Sequence, residues 1–491
     1  MSIWRKKSLE ALLQQAQGSN LKRTLGAGSL IALGIGAIIG AGLFVRTAAA
    51  ATDAAGSGVT LSFIVAAIGC AFAGLCYAEF AAMIPISGSA YAYSFVTMGE
   101  LVAWVIGWAL IMEYALGAAT VSIAWSEYLN NLLGNSIPYQ WCHSPFEVSS
   151  IGVAGIINSP ALVILLLLTM LLIKGTQESA VVNAIIVFVK VAIVVLFIIL
   201  GWQFIRPENH TPYLIPANQP PVIDASGKVI ADYSSVFKHG WGGVLGGAAI
   251  VFFAFIGFDA VSTAAQEAKN PKRDMPIGIL GSLVVCTILY ILFGHVLTGV
   301  ANWKDFVDPE KGREASVAYA ISTYMTGYGW LATAVTVAIL AGFSSVILVM
   351  LMGQSRIFYS MSKDGLLPKA FGDLHPKYQT PYKSNWILFV FVGLFAAFVP
   401  GSVAGDLTSF GTLFAFVLVS LGIWILRRKS PEMERPFKTP LVPLVPILGA
   451  VICLAMIFAL DMQTLKVAFI WMILGLFVYF LYSKKTSKLN N

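Results

Sequence analysis

Along the 491 residues, apolar runs of roughly 20 residues alternate with polar segments twelve times, and that is the length at which a helix crosses the hydrocarbon of a bilayer. The runs lie at 29–50, 59–85, 101–129, 160–173, 181–204 and 241–267, then at 277–300, 329–359, 386–399, 406–426, 441–460 and 467–482, the fourth and ninth being short. The pattern predicts an all-α polytopic membrane protein of twelve transmembrane helices. A bundle of this kind is one membrane body, so the length does not imply several soluble domains.

Two of the runs are interrupted near their centres. The first contains Gly34, Gly36, Gly40 and Gly42, and glycine weakens a helix by up to about 1 kcal/mol relative to alanine. In hydrocarbon, backbone released from a helix survives only where it is buried in protein or lines a wet cavity. The residues alone allow two readings: a seam packed closely through small residues, or a break that forms a binding site at mid-membrane. The spacing of Gly34, Gly36 and Gly40 also has the look of a dinucleotide loop. That motif needs a preceding strand and an acidic residue about 20 positions on, whereas here a basic segment precedes a membrane span.

The sixth run opens on Gly240, Gly242, Gly243, Gly246 and Gly247, and has Gly257 deeper in, followed by Asp259. Breaks five spans apart are what an inverted repeat of five helices plus five places in the first helix of each half. The organisation expected is a cytoplasmic amphipathic segment at 1–25, a first repeat at 26–205 and an extracellular loop at 206–240. A second repeat follows at 241–426, then two further helices within 427–483 and a cytoplasmic tail at 484–491.

Composition supports a membrane protein: 58% of the residues are hydrophobic and 11% charged, against roughly 25% charged in a soluble protein. The placement of charge adds an orientation, because basic loops stay in the cytoplasm. With the N-terminus inside, 22 of the 31 Lys and Arg fall on the cytoplasmic side and 8 outside, with Lys190 within a helix. Both termini are therefore expected on the cytoplasmic side of a cell membrane. The net charge of +7 reflects this asymmetry, and no nucleic-acid partner is expected.

Arg5, Lys6, Lys7, Lys22 and Arg23 around Leu9, Leu12 and Leu13 suit a short helix lying on the lipid surface. A cleaved signal peptide would have an apolar region of about 7–15 residues with a small-residue cleavage site, and the first run is longer and begins after Arg23. The segment at 206–240, with Pro216, Pro220 and Pro221, reads as loop throughout. Five cysteines, an odd number without metal-ligand spacing, lead us to expect no disulfide, no metal and no cofactor.

Charges inside the spans are the candidate chemistry. Glu113 lies within the third run, where a carboxylate costs at least about 2.5 kcal/mol on insertion scales. It needs a cation, a proton or water, or stays as a hydrogen-bonded structural carboxyl. Lys190 is the one charge in the fifth run, midway along and too far from either end to snorkel easily. It must face the bundle interior or release its proton, as a proton-exchanging group or as a fixed cation paired with Glu113 or helix carbonyls. Glu79, near the cytoplasmic end of the second span, is an interfacial carboxylate or part of a gate. Ser345 brings a small polar group to depth in the eighth span, and Asp406 caps the start of the tenth.

Three sets of motifs resemble a known family. They are Leu25-Gly-Ala-Gly-Ser-Leu30 with Gly36-Ala-Ile-Ile-Gly-Ala-Gly-Leu-Phe44, Tyr77-Ala-Glu79 with Ile84-Pro-Ile-Ser-Gly88, and Phe255-Ile-Gly-Phe-Asp259 with Glu267-Ala-Lys-Asn-Pro-Lys-Arg-Asp-Met-Pro276. Over nearly the whole chain the sequence is similar to the amino acid-polyamine-organocation (APC) superfamily, and within it to bacterial relatives of the cationic amino acid transporters. The resemblance implies a LeuT-like fold of five plus five inverted helices, the first and sixth broken, with two extra C-terminal helices. It implies that Gly40 lines the substrate site and that the amides of Ala41 and Gly42 hold the α-carboxylate of an amino acid. The carbonyls of Ile38, Phe253 and Ile256 would meet its ammonium, with the Phe253 ring as an aromatic gate.

By the same resemblance, Lys190 contacts the first helix near Gly36 and the eighth near Ser345, where sodium-coupled relatives of the fold bind their cation, and couples transport to a proton. Glu113 and Asp259 fall at the side-chain end of the site or at its gate, with Glu79 and Glu267 as further gate residues. The function expected is secondary active uptake of amino acids, cationic or small neutral, by alternating access and coupled to protons. An amino acid or polyamine exchanger of the same fold is the alternative, followed by a channel or a nutrient sensor. An enzyme is not expected, because no cluster of His, Cys or Asp stands near a membrane face.

Overall fold

The structure, a computed structural model, describes residues 5–7, 25–84, 89–149, 152–174, 180–223, 229–307, 316–378 and 380–490. Most of the 1–25 segment and the turn at 85–88 lie outside them. Each of the twelve apolar runs is helical over most of its described length, as hydrocarbon requires of a chain whose peptide groups must bond to one another. The helices are α1 (Ala27–Ile38), α2 (Val59–Met83), α3 (Ser89–Thr97), α4 (Glu100–Ile111), α5 (Gly117–Leu132), α6 (Ser159–Lys174), α7 (Ala180–Gly201) and α8 (Gly240–Val251). There follow α9 (Pro271–Val300), α10 (Ser316–Tyr324), α11 (Gly329–Lys363), α12 (Tyr382–Phe398), α13 (Gly401–Lys429), α14 (Leu444–Ala459) and α15 (Met462–Val478). Among the described residues, eight helical stretches are long and apolar enough to cross a membrane, and α1, α6, α12 and α14 are shorter apolar helices. The protein is thus an all-α polytopic membrane protein.

Two expectations change. The 206–240 segment is not loop throughout, because β1 (Val222–Ile223) and β2 (Val229–Ala231) pair antiparallel. The β-branched residues of both strands suit that pairing in spite of the nearby prolines. Asp406 does not cap its helix: α13 starts at Gly401 behind Pro400. The Asp406 carboxylate instead pairs with the guanidinium of Arg46, a buried cation that needs a counter-charge more than a helix start needs a cap.

Small residues set the central seam. α9 packs along α1 and α2, with Gly278 against Leu30, Gly281 against Ile31, Gly34 against Ser282 and Gly74 against Leu283. A Cβ at any of the four would come within 2.5–3.0 Å of those neighbours. Close backbone approach of this kind replaces the hydrophobic drive that lipid does not supply. Farther out, α15 is tied to α4 by indoles: Trp104 Nε1 donates to Gly475 O and Trp108 Nε1 to Trp471 O, both at 2.8 Å. A buried indole N–H needs such an acceptor.

Charged ties gather at one end of the bundle. Glu79, fully buried near the end of α2, accepts from Arg427 Nε at 3.1 Å and Nη2 at 2.7 Å, and from the Thr439 N–H at 2.8 Å. Arg435 Nε lies 3.3 Å from Glu79 Oε1, the oxygen that also takes the Arg427 Nε bond. Both chain ends meet nearby. Buried Glu100, the first residue of α4, accepts from Tyr479 Oη at 3.0 Å and Ser487 Oγ at 2.6 Å, with the Arg5 guanidinium at 3.7 Å. Asp364, just past α11, accepts from Lys7 Nζ at 2.7 Å and Tyr91 Oη at 2.9 Å.

Removing one partner of a buried ion pair costs about 3–5 kcal/mol. Because Arg427 is 24% exposed, Glu79→Ala belongs at the lower end of that range. Its melting temperature in detergent should fall well below that of Lys272→Ala, which breaks the exposed pair with Glu434 and costs about 0–1 kcal/mol. Equal melting temperatures would contradict the anchoring role of Glu79.

Candidate functional site

α1 stops at Ile38, the extended residue Ile39 (φ −73°, ψ 103°) follows, and helical backbone resumes at Ala41 and the π turn Gly42–Arg46. The last turn of any helix leaves carbonyls without partners inside it. Several of them are met here. Ile35 O keeps the Ile39 N–H at 2.9 Å, and Lys190 Nζ, from α7, donates to Gly36 O at 3.0 Å and Ile39 O at 3.2 Å. Tyr290 Oη, from α9, lies 3.0 Å from Ile38 O. The Leu43 N–H reaches Gly40 O at 3.2 Å, closing the first turn of the resumed helix.

The second break lies beyond α8. A 3-10 turn at Phe252–Phe255 leads to extended Ile256 (φ −59°, ψ 136°) and to Gly257 at φ +114°, and a 3-10 segment then runs over Asp259–Glu267. The positive φ calls for glycine, and so does the contact: a Cβ on Gly257 would lie 2.8 Å from Ala37 O. The relation is mutual, because a Cβ on Gly42 would overlap Ala254 Cα. Each break thus rests on the other's backbone. The same Tyr290 hydroxyl lies 2.9 Å from Ala254 O, so one side chain reaches both breaks. Phe253 is buried beside them, and its carbonyl accepts the Ile256 N–H at 3.3 Å. Backbone also joins the far ends of the two segments, with the Leu25 N–H on Glu267 O at 3.0 Å and the Lys269 N–H on Leu25 O at 2.8 Å.

α11 crosses this region through small residues. A Cβ on Gly342 would sit 2.6 Å from Lys190 Cε, and one on Gly40 would meet Val346 at 3.3 Å. Ser345 is buried on the same face of α11, between these two contact points.

The acidic residues form a second cluster. Glu113 lies in a π turn, Met112–Leu116, between α4 and α5, a distortion that recurs at functional sites. Both its carboxylate oxygens are buried without a hydrogen-bond partner among the described residues. Asp259 and Thr412 are its polar neighbours. Tyr114 Oη donates to Asp259 Oδ2 at 2.5 Å, and Asp259 Oδ1 is buried without a partner. Tyr93 stands near both Ser262 and Asp259.

Gly36, Ile38, Gly40, Ala41, Gly42, Lys190, Phe253 and Ile256 therefore come together at the breaks, with Ser345 on the helix that crosses them and Glu113 and Asp259 as a pair alongside. Glu79 stands apart, held by Arg427, Arg435 and Thr439. Glu267 lies at the end of the second segment, facing the charge of Arg356 on α11. Tyr290 and Tyr114 were missed as functional residues. The signal for both was a phenolic hydroxyl deep in an apolar run, which has to find an acceptor there.

A family model described as amino acid permease matches residues 25–481. The chain is 42% identical over its whole length to the branched-chain amino acid permease BcaP of Bacillus subtilis, covering 99% of that protein. It is 40% identical, at the same coverage of both chains, to a methylthioribose transporter of the same organism. With the vacuolar cationic amino acid transporter 4 of Arabidopsis thaliana it shares 31% identity over 88% of its own length and 68% of the relative's. The chain belongs to the amino acid permease family of the APC superfamily, and it is a membrane transporter rather than an enzyme.

Proposed function

We propose that the protein takes up amino acids by proton-coupled alternating access, through a LeuT-like arrangement of five plus five inverted helices with two more at the C-terminus and both termini in the cytoplasm. The observation that carries this reading is the mutual contact of the two breaks, Gly42 on Ala254 and Gly257 on Ala37. The N–H groups of Gly40, Ala41 and Gly42 begin a half-helix, whose partial positive charge suits the substrate carboxylate. The carbonyls of Ile38, Phe253 and Ile256 have lone pairs for the ammonium. Recognition by backbone reads what all amino acids share. Relatives named for branched-chain and for cationic amino acids are compatible with such a site.

Selection among amino acids then falls to the far end, where Glu113, Asp259 and Tyr114 meet. A buried carboxylate without a partner takes up a proton or a cationic group. Phe253 covers the site, and Glu79 and Glu267 belong to its cytoplasmic gate. Lys190 supplies the coupling. As an ammonium it makes charge-assisted bonds to Gly36 O and Ile39 O, which hold the end of α1. Once it gives up the proton those bonds weaken, and α1 is freed to move. One observation favours a second reading, exchange without net proton flux: Lys190 already has two carbonyl partners, as a fixed cation would.

Uptake into proteoliposomes separates the two. Lys190→Ala should keep counterflow yet lose accumulation driven by an imposed pH gradient, and accumulation at the wild-type level would remove the coupling role. Glu113→Gln should weaken arginine and lysine binding at least tenfold more than alanine or leucine binding, whereas equal losses would remove its contact with the substrate side chain. A melting screen over the amino acids should single out the substrate class, since a ligand at 100 times its Kd stabilises the fold by about 2.7 kcal/mol. No shift with any amino acid would count against the proposed site.

A further inference from the structure

Tyr290 is fully buried on α9, and its hydroxyl stands 3.0 Å from Ile38 O and 2.9 Å from Ala254 O. Phe63 and Phe255 hold the ring, with centroids at 5.4 and 5.2 Å. A phenol has one proton, so it cannot serve two carbonyls fully at once. The two carbonyls belong to the two breaks. Ala254 is also the residue on which Gly42 rests, so the hydroxyl fixes the spacing between the amides at 40–42 and the carbonyl at 38.

We propose that Tyr290 is a positioning residue for the substrate ammonium. It holds the Ile38 carbonyl against the second break and aims the free lone pair of that oxygen at the amine. When the ammonium binds, it takes over as donor to Ile38 O, and the phenolic proton turns fully to Ala254 O. Loading the site therefore changes which break Tyr290 is tied to. The proposal rests on the reading of Ile38 O as an ammonium acceptor. It makes Tyr290 a reader of the amine alone, with the same effect on every amino acid whatever its side chain.

The test is Tyr290→Phe, which removes only the hydroxyl. Binding is read by competition in counterflow, with alanine and leucine set against lactate and 2-hydroxyisocaproate, which keep the carboxylate and side chain but lack the amine. We expect the amino acids to weaken together by at least tenfold and the hydroxy acids to change less than twofold. An equal loss for both classes would leave Tyr290 a purely structural tie and overturn the proposal, as would unchanged binding of both. The underlying reading fails separately, on the wild-type protein, if hydroxy acids bind it as tightly as amino acids. Should Tyr290→Phe not give monodisperse protein, Tyr290→His carries the test, since the shorter imidazole cannot reach the two carbonyls that the phenol meets. A reduced preference for the amine in folded Tyr290→His supports the proposal, and a preference kept at the wild-type level overturns it.

Discussion

Where α1 ends, its carbonyls have only the protein to bond to, because hydrocarbon offers no donor. Much of the central architecture answers that constraint. Lys190 on α7 and Tyr290 on α9 bring donors to Gly36, Ile38 and Ile39, and so fix how those two helices lie against α1. Lys190 can reach because α11 carries Gly342 where its aliphatic stem passes. Tyr290 can reach because α9 lies close along α1 and α2 over small residues. A larger residue in those seams would push the donors away from the carbonyls that need them.

On the proposed reading the breaks also divide the labour of recognition. Their facing backbones present amides and carbonyls, groups that no substitution short of proline removes, so the common part of a substrate would be read by what is hardest to change. The acidic pair beside them is made of side chains, Glu113 and Asp259, with one tyrosine hydroxyl on Asp259. Selectivity placed there can change by single substitutions while the backbone site stays intact. A family whose members carry names as different as branched-chain amino acid permease and methylthioribose transporter fits that separation.

The spans and both breaks were legible in the sequence because their causes are local. Twenty apolar residues make a helix in lipid wherever they occur, and Gly40, Gly42 and Gly257 mark weak points by their own lack of a side chain. Lys190 stood out for the same reason, as a lone charge in an apolar run. What the sequence hid were partners set by tertiary packing. Arg427 lies 348 positions from Glu79, and Asp406 lies 360 from Arg46, so no spacing rule joins them. Asp406 was misread as a cap because an acidic residue near a helix start is usually one, and the distant guanidinium was invisible. Tyr290 was passed over because a tyrosine in an apolar helix looks ordinary until its hydroxyl is asked for an acceptor.

Glu100 carries a consequence for how the chain is made. It opens the helical stretch that carries Glu113, and its charge is buried among groups from both chain ends. Arg5 leaves the ribosome before it, but Tyr479 follows 379 residues later and Ser487 after 387. At the synthesis rates of about 5–20 residues per second, the carboxylate waits tens of seconds for its last partners. Until then a charged residue at the foot of this helix lacks its final shelter, so the lipid-water boundary, or a factor that guards it, has to accommodate Glu100 in the meantime. The helix that presents Glu113 is secured at its base only when Ser487 arrives.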